Sequence, residues 1–151
     1  MMNRRSVGFF VFTIVLAFSV TTFSTAGTPD LEEIKCPISG RAVKADATAE
    51  LDDYTVYFCC GGCVKAFNKD KGKFTAKAFH QVVATSQATQ GTCPKSGKGL
   101  NPDAVLNVNG VDVGFCCNGC KGWANKLSED DRIAKIFNRE VFEKNFSKAE
   151  E

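Results

Sequence analysis

The feature that most constrains the fold of this chain is a duplicated unit of four cysteines. The first copy begins with Cys-Pro-Ile-Ser-Gly at positions 36–40 and contains the later run Phe-Cys-Cys-Gly-Gly-Cys at 58–63. Both segments recur 57 residues later, as Cys-Pro-Lys-Ser-Gly and Phe-Cys-Cys-Asn-Gly-Cys. A repeat that keeps the spacing of every cysteine predicts two copies of one small structural unit.

The two copies also define the domain organisation. We place the units at residues 33–85 and 91–148, because the similarity extends beyond the cysteines on both sides. The stretch 86–90 between them is polar, and we interpret it as a linker. Residues 27–32 form an N-terminal segment before the first unit.

Each unit is predicted to contain a Cys-Pro turn, a β-hairpin and a short helix that begins at the second cysteine cluster. The clearest hairpin signal has strands at 105–108 and 111–115 around Asn109-Gly110. The first unit has Asp52-Asp53 at the matching positions. A turn, a hairpin and a helix N-terminus that converge on one point form the treble-clef plan of small zinc modules. We therefore predict an α+β fold of two tandem treble-clef-like units.

A longer amphipathic helix is predicted to close each unit. Its clearest instance starts at Ser128, where Ser-Glu-Asp-Asp supplies an N-cap and acidic residues for the first turn. We expect Phe67 and Trp123 to pack on the inner faces of the short helices. The closing helix has apolar residues at helical spacing, which we expect in the core: Ile133, Ile136, Phe137, Val141 and Phe142.

The cysteines are the candidate functional residues. Cys59 and Cys63 are four positions apart at a predicted helix start, so they lie on one face near the positive helix end, which lowers a thiol pKa. The hairpin brings a third thiol back from the Cys-Pro turn. The spacing thus gathers three thiols in each unit: Cys36, Cys59 and Cys63, and then Cys93, Cys116 and Cys120.

The combination of Cys-Pro-x-Ser-Gly, a later Phe-Cys-Cys-x-Gly-Cys and an aromatic residue shortly after it resembles the YHS and TRASH-like domains. Those are small treble-clef-type modules linked to heavy-metal sensing, transport and resistance, and the resemblance covers both units. It implies that the three thiols of each unit are metal ligands. Cys60 and Cys117 fall outside the TRASH spacing and rank as second-tier ligands. Many YHS domains have an acidic residue where Cys36 stands and a cysteine where Ser39 stands, and this chain has no Tyr-His-Ser tripeptide.

The donor set favours a soft or borderline ion. Cu(I) and heavy metals such as Hg(II) accept two or three sulfurs, whereas structural Zn(II) takes four donors and would recruit the extra cysteine, a water or an oxygen. The only methionines are Met1 and Met2, so the remaining chain has no Met-rich copper site. The only histidine, His80, has Asn138 opposite it in the repeat, and we expect a surface or packing role. We predict about one Cu(I) or Zn(II) ion per repeat.

The N-terminus predicts export. Arg4 and Arg5 precede an apolar stretch at 7–23, and small residues lead to Ala26, which together are typical of a signal peptide at 1–26. An uncleaved membrane anchor is the alternative. Cleavage after Ala26 removes two of the 19 basic residues and none of the 17 acidic ones, which leaves a net charge of zero. A neutral, periplasmic or otherwise exported protein has no electrostatic reason to bind nucleic acid or a membrane surface.

The favoured function is non-enzymatic metal binding, for sequestration, delivery or resistance, with a metal transporter or chaperone as partner. Eight cysteines in an oxidising compartment also fit a disulfide-stapled interaction module, although adjacent residues such as Cys59 and Cys60 rarely bond to each other. A thiol–disulfide oxidoreductase is the third alternative, because 60–63 and 117–120 are formally Cys-x-x-Cys. The thioredoxin context of that motif is missing.

Overall fold

The structure, a computed structural model, describes residues 30–150, so the predicted signal peptide at 1–26 lies outside the described residues. Within this range the fold has five helices and three two-stranded antiparallel sheets, which confirms the α+β class. None of these helices is long and apolar enough to cross a membrane. In chain order the elements are β1 (Lys44–Leu51), β2 (Tyr54–Phe58), α1 (Gly61–Lys69), α2 (Lys71–Ala84), β3 (Ala88–Gln90), β4 (Asn101–Val108), β5 (Val111–Phe115), α3 (Asn118–Asn125), α4 (Glu129–Ile136), α5 (Arg139–Asn145) and β6 (Phe146–Lys148).

The duplication in the sequence is a duplication of structure. Each unit has a Cys-Pro turn, a hairpin (β1–β2 or β4–β5) and a helix (α1 or α3), at positions that differ by 57 residues. Both hairpins have an irregularity at the same place, after Lys44 in one and after Asn101 in the other. The turn residues Asp52 and Asn109 both adopt a left-handed backbone, with φ of 54° and 50°. Asp tolerates that conformation, so the Asp-Asp pair closes its hairpin as Asn-Gly does. The treble-clef assignment itself stays a prediction.

The closing helices differ between the units. In the first unit α2 is continuous over 14 residues, as predicted. In the second unit the predicted helix from Ser128 is two helices, α4 and α5. Ser128 does cap α4 by accepting a hydrogen bond from the Asp131 N–H, but Asn138 then caps α5 by accepting one from the Val141 N–H. The prediction of one continuous helix is wrong here, because a second N-cap interrupts it.

The segment predicted as a linker contains a strand. β3 pairs with β6 at the far end of the second unit, with Gln90 opposite Phe146, and Ala88 is buried. The connection between the repeats is therefore part of the folded structure.

One aromatic core joins the two units. Phe79 of α2 stacks on Phe142 of α5 with 4.0 Å between ring centroids, and Phe142 stacks in turn on Phe146 at 5.1 Å. Tyr54 of the first hairpin meets Phe142 edge-on. Among the apolar positions predicted for the closing helix, all are buried except Val141, which is half-buried. This core fixes the base on which both hairpins and both cysteine clusters stand.

Candidate metal centre

The first cysteine of each unit lies in a tight, hydrogen-bonded turn. The Cys36 N–H donates to the Arg41 carbonyl at 2.8 Å, and the Cys36 carbonyl accepts from the Gly40 N–H at 2.9 Å. Gly40 has a φ of 69°, a left-handed conformation that glycine adopts without steric cost. The turn at Cys93 repeats both hydrogen bonds at 2.8 Å. Both thiols are buried, at 2% exposed for Cys36 and 0% for Cys93.

The other cysteines surround the start of the helix that follows each hairpin. Cys59 comes directly after β2, Cys60 is the N-cap of α1, and Cys63 lies in its first turn. The Cys60 backbone is extended, with φ −167° and ψ 163°, so the chain changes direction there between strand and helix. Cys117 is the N-cap of α3 with nearly the same angles, −165° and 165°.

These elements bring three sulfurs together in each unit. The sulfurs of Cys36, Cys59 and Cys63 all lie within 4.8 Å of one another, and so do those of their counterparts Cys93, Cys116 and Cys120. Within the clusters the closest recorded sulfur pairs are 3.6 Å apart in the first unit and 3.7 Å in the second. Sulfurs in a tetrahedral zinc site with Zn–S bonds of about 2.3 Å are roughly 3.8 Å apart, whereas a disulfide joins sulfurs at about 2.05 Å. The spacing therefore suits thiolates around an ion. That these six residues bind a metal stays a prediction.

A serine hydroxyl contacts each cluster. The Ser39 Oγ lies 3.2 Å from the Cys59 sulfur, and the Ser96 Oγ lies 3.2 Å from the Cys116 sulfur. Sequence reasoning treated Ser39 only as a departure from the YHS pattern. Its presence at the same place in both copies of Cys-Pro-x-Ser-Gly was the signal that could have found this contact.

The thiols of a cluster differ in acidity. Burial raises the pKa of Cys36, but hydrogen bonds with the Ser39 hydroxyl and with nearby backbone N–H groups outweigh it and lower the pKa to about 7. The same balance lowers the pKa of Cys93 to about 6. Burial, together with hydrogen bonds to the neighbouring cysteines, raises the pKa of Cys63 and of Cys120 to about 12. Without an ion, each cluster thus keeps a proton on one thiol while the turn thiol ionises easily, because adjacent thiolates repel.

Cys60 and Cys117 stand apart from the clusters. Both are exposed, and neither belongs to its three-sulfur group. Their sulfurs still lie 3.7 Å and 3.8 Å from those of Cys59 and Cys116. Hydrogen bonds from the backbone N–H at the helix start and from neighbouring thiols lower the pKa of both.

Two glutamines hold the strand and the turn that carry the thiols. The Gln81 side chain accepts from the Tyr57 N–H and donates to the carbonyls of Tyr57 and Lys35, all at 2.7–2.9 Å. Gln90 makes the same three bonds in the second unit, to the two positions that match by 57 residues. Since Gln81 is on α2 and Gln90 is on β3, the two are not repeat partners, and the repeat pattern gave no sign of this shared function.

His80 and the helix aromatics lie in packing positions. The His80 Nε2–H donates to the Val108 carbonyl at 2.8 Å, and the ring meets Phe137 edge-on at 5.1 Å. The expected packing role of His80 is thus confirmed. Phe67 is fully buried as predicted, whereas Trp123 is only half-buried and has the Lys95 ammonium 4.7 Å from its ring centre.

No protein-family model, curated protein or solved structure matches this chain. The resemblance to YHS and TRASH-like domains accordingly rests on the sequence pattern alone. The functional argument depends on the geometry of the two clusters.

Proposed function

We propose that this chain is an exported, non-enzymatic metal-binding protein that holds one soft or borderline ion in each unit. The observation that carries the proposal is the three-thiol cluster, formed twice at equivalent positions. One accidental grouping of cysteines needs no function, but two with the same turn, serine contact and helix start argue for a selected site. Cu(I) is the ion we favour, since three sulfurs satisfy it, and Zn(II) requires a fourth donor at each site.

The residues of each site divide the work of binding. The Cys-Pro turn supplies a buried thiolate, and the helix start supplies two more sulfurs on one face. The serine hydroxyl donates a hydrogen bond to a sulfur and so disperses its negative charge. An ion that enters must displace the proton held on Cys63 or Cys120, so binding releases protons and weakens in acid.

The biological role that fits such sites is sequestration, delivery or resistance. The resemblance to YHS and TRASH-like domains supports it, as does the signal-peptide pattern at 1–26. A metal transporter or a metal chaperone is the partner class that would exchange ions with these sites.

Anaerobic titration of the reduced full chain with Cu(I), against the chelator bicinchoninate, tests the proposal. We expect two equivalents, one per unit. Cys63→Ser removes one equivalent and Cys120→Ser removes the other, because each variant disables only its own cluster. A single equivalent shared between the units, or no binding at all, would contradict the two-site proposal.

Mass spectrometry of the protein from its native compartment, without added reductant, separates metal binding from a disulfide function. The apo-disulfide, one-metal and two-metal forms differ in mass. Recovery of only the disulfide form would favour the stapled interaction module instead.

A further inference from the structure

Cys60 and Cys117 are not explained by folding. Each is an N-cap residue, yet its side chain makes no capping hydrogen bond, the contact that favours Ser, Thr, Asp or Asn at such positions. Each is also exposed, although unpaired cysteine is among the most buried residue types. Both copies of the repeat nevertheless have cysteine here, so a need other than packing or capping accounts for it.

Their position next to the clusters indicates what that need is. The Cys60 sulfur lies 3.7 Å from the Cys59 sulfur, and the Cys117 sulfur lies 3.8 Å from that of Cys116. That separation is about one sulfur–sulfur edge of a thiolate complex, close to 3.8 Å. An ion held by Cys59 is therefore within reach of Cys60 without movement of the backbone.

The outer side of these thiols is open. A Cβ atom at Gly62 or Gly119 would lie 3.7 Å from the sulfur of Cys60 or Cys117, so glycine leaves that side of each thiol uncovered. In the first unit Cys60 also lines a cleft of about 480 Å³ between β1 and α1. The cleft has Lys44, Asp46 and Lys65 in its walls and Cys60 as its only sulfur. A thiol on another molecule can approach there.

We propose that Cys60 and Cys117 are transfer ligands, which take the ion from the cluster and pass it to a thiol-bearing acceptor. This inference rests on the proposed function. In each exchange one metal–sulfur bond forms as another breaks, the proton of the incoming thiol passes to the departing thiolate, and the oxidation state of the ion is unchanged. Cys36 and Cys93, which are buried, release the ion last.

The test separates the rate of transfer from the affinity. The full chain and the variant Cys60→Ser/Cys117→Ser are loaded with Cu(I), and reduced glutathione is added as thiol acceptor with excess bicinchoninate as a coloured trap. We expect the variant to transfer Cu(I) about tenfold more slowly while its equilibrium affinity changes less than about threefold, because transfer ligands act on the path and not on the resting site. Cys60→Ala/Cys117→Ala should behave in the same way, since the sulfur is what matters.

The matched control is Gly61→Ala/Asn118→Ala, a pair of exposed repeat partners directly after the proposed ligands. It should leave the transfer rate unchanged. An unchanged rate in the Cys60/Cys117 variant would overturn the inference. So would an affinity loss as large as that of Cys63→Ser, which would make Cys60 a resident fourth ligand and favour zinc. In both of these cases the wild type still binds two ions, whereas failure of the wild type to bind would remove the proposed function itself.

Discussion

Single hydroxyl groups tune the proposed sites. The Ser39 and Ser96 hydroxyls lie 3.2 Å from the sulfurs of Cys59 and Cys116, in turns that also hold the buried thiols. When those sulfurs are metal-bound thiolates, a donated hydrogen bond to each is charge-assisted, and such bonds exceed the strength of neutral ones.

Removal of both hydroxyls should therefore weaken metal binding without abolishing it. For Ser39→Ala/Ser96→Ala we expect two equivalents of Cu(I) still bound, each about fivefold more weakly, which corresponds to about 1 kcal/mol for a lost hydrogen bond. Competition with bicinchoninate measures this affinity. Ser147→Ala, on exposed β6, is the control and should leave it unchanged. Wild-type affinity in the double variant would show that the hydroxyls do not bond to the bound sulfurs.

Residues differ in how visible their roles are in the sequence. Cys36, Cys59 and Cys63 could be grouped because cysteine is rare, its spacing recurs, and turn and helix signals set its direction. Gln81 and Gln90 could not, because the same clamp is reached from a helix in one unit and from a strand in the other. Nothing in the local sequence of a glutamine indicates which distant backbone group it meets.

Among the secondary-structure elements, the break between α4 and α5 is the clearest case in which pattern and structure diverge. Both helices turn their apolar residues toward the same core, so the helical spacing continues across the break and predicts one helix. Asn138 makes the break. It accepts from the Val141 N–H at 3.1 Å and donates to the carbonyls of Ala134 and Lys135, so it closes one helix and opens the next. The hairpins were predicted closely because their turn chemistry is local.

Substitution of Asn138 should accordingly cost more than a surface change. We expect Asn138→Ala to lower the free energy of unfolding by about 1–2 kcal/mol, the typical cost of a lost N-cap. Urea denaturation of the reduced apo protein measures it. Asn138→Ser keeps an N-cap acceptor and should recover most of the loss. If Asn138→Ala were as stable as the wild type, α4 and α5 would be able to merge into one helix at no cost.

At the scale of the whole molecule, the units depend on each other. β3 from between the repeats pairs with β6, Phe79 of the first unit stacks on Phe142 of the second, and His80 donates to the Val108 carbonyl across the same boundary. Each unit alone has few buried residues apart from these shared ones, and small units of this kind are marginally stable. The chain should therefore unfold as one cooperative body, and an ion bound in one unit should stabilise the other.

The aromatic residues allow a direct test of this coupling, because the only tryptophan, Trp123, is in the second unit while both tyrosines, Tyr54 and Tyr57, are in the first. In Cys120→Ser, which keeps only the first site, Cu(I) should raise the thermal midpoint reported by Trp123 as much as the one reported by tyrosine. An ion at 100 times its dissociation constant adds about 2.7 kcal/mol to the free energy of unfolding. Phe142→Ala removes the shared stack, at a cost of about 3–5 kcal/mol, and should reduce this coupling. A Trp123 transition that ignores the ion would show that the units fold independently. Should the oxidised wild type melt highest, with no gain from metal in the reduced form, the cysteines would be staples, because a disulfide stabilises the chain without an ion and a metal site requires one.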